Sequence, residues 1–250
     1  MVDIESKTQI DLISVPVPES PPDTFIQYFS QWKNGKVLLG TAGAWFALDV
    51  GFYGTNLNTP TILSAIGFGS GTSIYDKMWN ISLGNLIIAL LGSVPGYWVT
   101  VFTIERLGRK PIQYIGFAVL TVLFAVLAFG YTWLLKNNIP LFVVIYTLIQ
   151  FFNNFGPNAT TFVLAGEVFV TRYRGTAHGL SAAAGKAGAI LAAHGFSIMK
   201  DYGGEKGSSH FVPYLFGIFA IFMAVGFVFT VLVPETKGKS LEELCGEKEL

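Results

Sequence analysis

Residues 112–135 read IQYIGFAVLTVLFAVLAFGYTWLL, twenty-four positions without a charge, with Lys110 before them and Lys136 after. A helix needs about 20 mostly apolar residues to cross the hydrocarbon of a bilayer, and this run supplies them. Five further stretches meet the same requirement: 37–66, 79–104, 140–165, 175–199 and 211–233. The reading is an all-α membrane fold of six transmembrane helices. Pro60 and Pro157 fall inside the first and fourth stretches, where a membrane helix tolerates proline as a kink. The fifth is crowded with small residues from Ser181 to Ala189. Such a face lets backbones approach closely, so this helix is expected to pack on protein and not on lipid.

Composition agrees with lipid as the solvent. Mean hydropathy is +0.53, and charged residues make up 13% of the chain, against about 25% in soluble domains. The formal net charge is zero, so the charge balance does not point to nucleic acid. The single cysteine, Cys245, has no partner within the chain. Residues 1–36 are polar and hold the cluster Pro16, Pro18, Pro21 and Pro22. They are read as a cytoplasmic linker or arm, followed by a bundle over 37–233 and a cytoplasmic tail over 234–250.

Basic residues set the orientation. One set of gaps holds Lys33, Lys36, Arg106, Arg109, Lys110, Arg172, Arg174, Lys237 and Lys239; the other holds Lys77, Lys136, Lys200 and Lys206. The excess in the first set makes that side cytoplasmic and puts both termini inside. Many secondary transporters join two six-helix halves about an axis normal to the membrane. Six helices with this topology are expected to be one half, with the chain starting inside the linker and an N-terminal six-helix half as its partner.

Inside the spans, Asp49 stands near the middle of an otherwise uncharged helix. A carboxylate there costs a few kcal/mol and normally faces a partner or a wet cavity. Trp45, Asp49 and Tyr53 recur at i, i+4 and i+8, on one helix face, and offer an indole N–H, a carboxyl group and a phenol. Lys186, among the alanines and glycines of the fifth span, is read as a second buried charge. Its ammonium suits an anion, or Asp49 when the anion is absent. His178 is expected at the cytoplasmic interface, His194 near the outer end of its span and Gln150 in a cavity. No phosphate-cradling glycine loop, metal-ligand cluster or nucleophile–base arrangement stands out, so neither an enzyme nor a cofactor is expected.

Three segments carry a resemblance. Glu105-Arg106-Leu107-Gly108-Arg109-Lys110 resembles the short basic loop between the second and third helices of each half in the major facilitator superfamily, with Glu where Asp is usual. Glu167 with Arg174-Gly175 resembles the matching loop of its sugar-porter-like branch. Pro234-Glu235-Thr236-Lys237-Gly238, with Leu241-Glu242-Glu243, resembles that branch's ending. Glu105 and Glu167 lie beside arginines at helix ends, where ion pairs between helices would break as the inner side opens. Arg106, Arg109 and Arg174 are the expected basic members of this gate.

Two more stretches resemble the fungal and plant proton-coupled phosphate transporters, with the fungal high-affinity symporters nearest. The segment 45–54 is similar to their seventh helix and 154–162 to their tenth, while Ser181 to Ala189 around Lys186 is similar to their eleventh. The resemblance covers roughly 32–244. It implies inorganic phosphate and protons as partners, a plasma-membrane location and alternating access. It also implies Trp45, Asp49, Tyr53, Asn158 and Lys186 as phosphate-binding residues, Asn154 as a further one, and Asp49 as the proton carrier. Phosphate suits an acid in an anion site because near neutral pH it keeps a proton to donate, which sulfate lacks. A sugar or organic-solute porter of the same branch and a non-transporting phosphate receptor remain as alternatives.

Overall fold

The computed structural model describes residues 24–205, 207, 209–240 and 243–244. The proline cluster of the arm, Lys206, Leu241, Glu242 and Cys245 lie outside the described residues. Within them the regular elements are all helical.

Helix α1 (Phe25–Ser30) opens on a capping box, in which Thr24 and Gln27 each accept the other's backbone N–H. Two donors that the helix itself leaves free are thereby satisfied. Phe25 and Phe29 then pack against Tyr173, and Phe29 also against Phe169. The arm expected to run through residue 36 is therefore helical from Phe25, and the first long helix, α2 (Trp32–Asn56), begins earlier than position 37. Capping and aromatic docking order a segment whose composition alone reads as a linker.

The kink expected at Pro60 is a break. Helix α2 ends at Asn56, and α3 (Thr59–Ala65) places Pro60 in its first turn. There the missing N–H is one the helix could not have used. Helix α4 (Ile74–Ile88) passes through a π-helical turn, Ala89–Ser93, into α5 (Val94–Leu107). Gly108, at φ +98°, turns the chain into α6 (Arg109–Asn137), a conformation that costs little only without a Cβ. Helices α7 (Ile139–Phe155) and α8 (Pro157–Glu167) are divided at Gly156. Helices α9 (Thr171–Met199) and α10 (Val212–Val231) complete the bundle.

Five stretches among the described residues are long and apolar enough to cross a membrane: Trp32–Asn56, Ile74–Leu107, Arg109–Asn137, Ile139–Glu167 and Val212–Val231. Helix α9, expected as a sixth, is not among them. Its 29 residues would reach about 43 Å at 1.5 Å per residue, but small and charged side chains dilute its apolar content. What it has instead is a close-fitting face. Ser181, Gly185, Gly188 and Ala192 are buried, and α9 makes its broadest contact along α2. A Cβ on Gly188 would lie 2.4 Å from the Phe46 carbonyl oxygen, and the Thr41 and Ser181 hydroxyls hydrogen-bond at 2.9 Å.

The core lies between α6, α10 and α7. Phe117, Leu120, Phe124 and Leu127 meet Phe216, Phe219 and Met223, all essentially buried. Lipid chains are as apolar as these side chains, so their cohesion rests on close packing. By contrast α4, the π-turn and α5 turn Leu86, Leu90, Leu91, Trp98, Val101 and Phe102 outward. That surface is apolar where a soluble protein would be polar.

Candidate functional site

The i, i+4, i+8 spacing on α2 carries Trp45, Asp49 and Tyr53 to the seam with α9. A cavity of about 420 Å³ opens beside it, lined by these three residues together with Tyr97, Asn158 and Lys186. Ala159, Phe162 and Val163 of α8 complete its wall. Four helices, α2, α5, α8 and α9, thus contribute polar groups to one hollow. Five of the residues singled out from sequence share it: Trp45, Asp49, Tyr53, Asn158 and Lys186.

Asp49 is 2% exposed, and its Oδ2 receives no hydrogen bond among the described residues. The nearest cation is Lys186, with Nζ at 3.6 Å. Lys186 donates instead to the Tyr53 hydroxyl at 2.9 Å and lies 4.7 Å from the centre of the Tyr53 ring. The expectation that Lys186 is buried needs correction, because its side chain is 61% exposed. Lys186 lines the cavity, with its ammonium between Tyr53 and Asp49. Charges about 4 Å apart attract by roughly 1 kcal/mol in water and about 4 kcal/mol at a surface-like dielectric, and this exposure puts the pair toward the lower figure. The seam has no slack: a Cβ on Gly185 would lie 2.5 Å from Trp45 Cδ1 and 3.0 Å from Asp49 Oδ2.

Asn158 sits in the first turn of α8, directly after the Gly156 break. Its Nδ2 donates to Asn154 Oδ1 at 2.8 Å and to the Tyr97 hydroxyl. Asn154 does not reach the cavity. It is 1% exposed, and its own Nδ2 donates to the Gln150 carbonyl at 2.7 Å. The Gly156 break separates the two asparagines, and the inner one, at the end of α7, holds the outer one at the start of α8. Gln150 is also withdrawn, since its side chain exchanges hydrogen bonds with Asn56.

One residue of this region, Tyr97, has no signal in the sequence that singles it out. Tyr97 lies in an apolar span with no periodic signal of its own; the only hint was Gly92 and Gly96 around Pro95 just before it. His178 packs edge-on against Trp45 at 5.6 Å and Phe162 at 5.1 Å between ring centres. It thereby packs on two rings of the cavity wall. His194 is exposed, with Nδ1 at 3.2 Å from the Ile190 carbonyl oxygen.

A second cluster ties helices together at one end of the bundle. The Arg109 guanidinium forks onto Glu105 with bonds of 2.8 and 3.0 Å, and onto Glu167 with bonds of 3.1 and 3.2 Å. It thereby links α5, α6 and α8. Glu235 accepts from the backbone N–H groups of Arg109 at 3.2 Å and Lys110 at 3.0 Å, which caps the start of α6. Thr236 donates its hydroxyl to Glu167, and Lys237 donates to the carbonyl of Arg106. Arg174 is not part of the fork in the way its position suggested. Its guanidinium donates to the Phe169 carbonyl and the Thr171 hydroxyl, within its own turn. The segment 234–237, quoted from sequence only as a resemblance, is structurally the clasp of this end.

Residues 24–245 match the sugar (and other) transporter family. The chain is 46% identical over 242 residues to the inorganic phosphate transporter PHO84 of Saccharomyces cerevisiae, covering 96% of this chain and 41% of the relative. It is 47% identical to the repressible high-affinity phosphate permease of Neurospora crassa, covering 92% and 41%. To the low affinity inorganic phosphate transporter 1 of Petunia hybrida it is 44% identical, covering 87% and 42%. The chain thus spans about two fifths of the length of these relatives. With its multiple apolar helices and a match over most of its length, this multi-pass membrane protein belongs to the sugar (and other) transporter family of the major facilitator superfamily.

Proposed function

We propose that this chain is the C-terminal six-helix half of a proton-coupled inorganic phosphate importer. The observation that carries the reading is the Asp49–Lys186 pair in a cavity of about 420 Å³, in a chain whose relatives are named phosphate transporters. Neutral sugars need neither charge. Phosphate uses both: Lys186, Tyr53 and Trp45 donate to its oxygens, and Asp49 accepts from its remaining P–O–H. Asn154 acts one step back, by orienting Asn158. The arriving anion takes the ammonium from Asp49, which then binds a proton from the outer solution, keeps its carbonyl oxygen as the acceptor for the phosphate P–O–H, and carries that proton through the cycle. Moving an anion into an inside-negative cell costs about 2.3 kcal/mol per charge per 100 mV, so more than one proton accompanies each phosphate.

Transport proceeds by rocking of two halves about this midplane site. The Arg109 cluster lies on the cytoplasmic side, following the excess of basic residues there, and its ion pairs break as that side opens. The working membrane is the plasma membrane, with both ends of this segment cytoplasmic: residues 1–36 an arm, 37–233 the bundle and 234–250 a tail. The test is uptake of labelled phosphate into proteoliposomes, with the chain joined to the N-terminal half of the S. cerevisiae relative. Excess unlabelled phosphate is expected to abolish uptake and excess glucose to leave it unchanged. Competition by glucose would assign the site to a sugar porter.

A further inference from the structure

Resting on the phosphate reading, we infer that Tyr97 is a substrate-contacting residue, whose hydroxyl donates a hydrogen bond to the bound phosphate. The same arrangement leaves Asn158 facing the anion with its carbonyl oxygen. An Asn side chain has two N–H donors and one carbonyl acceptor, and a tyrosine hydroxyl has one donor and can also accept. Asn158 spends one N–H on Asn154 Oδ1 at 2.8 Å and the other on the Tyr97 hydroxyl. Because that hydroxyl accepts from Asn158, its own proton is left to give. Tyr97 lines the same cavity as Asp49 and Lys186.

The position of Tyr97 is built and not incidental. Gly92 and Gly96 are one turn apart on the side of the π-turn and α5 that faces α7. A Cβ on Gly92 would lie 2.7 Å from the Thr147 carbonyl oxygen, and one on Gly96 would lie 2.4 Å from that of Phe151. Thr100, a turn further on, donates to the Asn154 carbonyl at 3.0 Å. These contacts press α5 onto α7 just before the Gly156 break and fix its rotation. Tyr97, next after Gly96, is turned about 100° from the contact line, toward Asn158 and the cavity. A π-helical turn inside an α-helix is often found at functional sites, and here it lies four residues before the tyrosine.

The site then presents donors from Lys186 and Tyr97 and acceptors from Asp49 and Asn158. Arsenate carries protons as phosphate does and can satisfy both kinds of group; sulfate has no proton for the acceptors. The experiment replaces Tyr97 by Phe in the chain joined to the N-terminal half of the S. cerevisiae relative. Phosphate uptake is measured as KM and maximal rate, together with the unfolding temperature without phosphate. Loss of one hydrogen bond to a charged oxygen should raise KM roughly tenfold or more, with maximal rate and unfolding temperature little changed. Combining Tyr97→Phe with Asn158→Ala should cost less than the product of the two single effects, because Asn158 orients the hydroxyl. Normal phosphate uptake with an unchanged KM in Tyr97→Phe would overturn this inference alone. Absence of phosphate uptake in the unsubstituted protein would overturn it together with the reading on which it rests.

Discussion

Asp49 and Lys186 come from helices far apart in sequence, and Gly185 sets the fit between them. The Asp49 side chain is 2% exposed, while the Lys186 side chain that faces it is 61% exposed. One charge is enclosed by protein, and the other is held by the Tyr53 hydroxyl and ring. Gly185→Ala would drive a methyl group to 2.5 Å from the Trp45 ring and 3.0 Å from Asp49 Oδ2. Overpacking of this kind costs about 1–3 kcal/mol. We expect a lower unfolding temperature in lipid nanodiscs and impaired phosphate uptake, measured on the same preparation. Much of this site was legible beforehand. A carboxylate within an apolar run is conspicuous, and the spacing of Trp45, Asp49 and Tyr53 names a face. The exposure of Lys186 was not legible, because a position in mid-span does not say on which side the bundle is open. Tyr97 was hidden for a related reason: it is one aromatic residue among many, and its meaning comes from a hydroxyl held by Asn158 on another helix.

At the scale of elements, close approach between α9 and α2 replaces the apolar bulk that holds α6 to α10. Gly188→Leu should therefore be severe where most exchanges to leucine in a membrane helix are mild. Its first side-chain carbon would sit 2.4 Å from the Phe46 carbonyl oxygen, and backbone cannot rotate away. The expected result is loss of folded protein on size-exclusion chromatography in mild detergent. Leucine at Gly166, where a Cβ meets nothing within 4 Å, should be tolerated. The small-residue run from Ser181 to Ala189 signalled this packing from sequence. The break at Pro60 was misread as a kink, since a proline within an apolar run fits a bent helix or the first turn of a new one. Helix α1 was missed because its order comes from the cap at Thr24 and from rings docked on Tyr173 and Phe169, contacts made across 140 residues and more.

Across the whole molecule, four segments meet at the Arg109 end: α5, α6, α8 and the clasp at Glu235 and Thr236. Glu105 is largely exposed and Glu167 only a quarter so, so the bond to Glu167 is the less screened of the two. Arg109→Ala should free α8 from α6. A cysteine introduced at Leu164, a residue 1% exposed, should then react several-fold faster with a water-soluble thiol reagent. Arg109→Lys should recover that protection only in part, because an ammonium cannot reproduce the two-pronged contact. Equal labelling rates in all three proteins would show that the cluster holds nothing shut. The sequence marked these charges as a group, but the partner chosen by Arg174 and the capping role of Glu235 depend on where the loops come to rest in space.

The most direct trial of the account is accumulation of labelled phosphate in proteoliposomes containing the chain joined to the N-terminal half of the S. cerevisiae relative, with the outside more acidic than the inside. The unsubstituted protein should accumulate phosphate in proportion to the imposed pH difference. Asp49→Asn, at matched protein content, should lose that dependence. Gradient-driven accumulation by Asp49→Asn equal to that of the unsubstituted protein would contradict the assignment of proton coupling to this carboxylate.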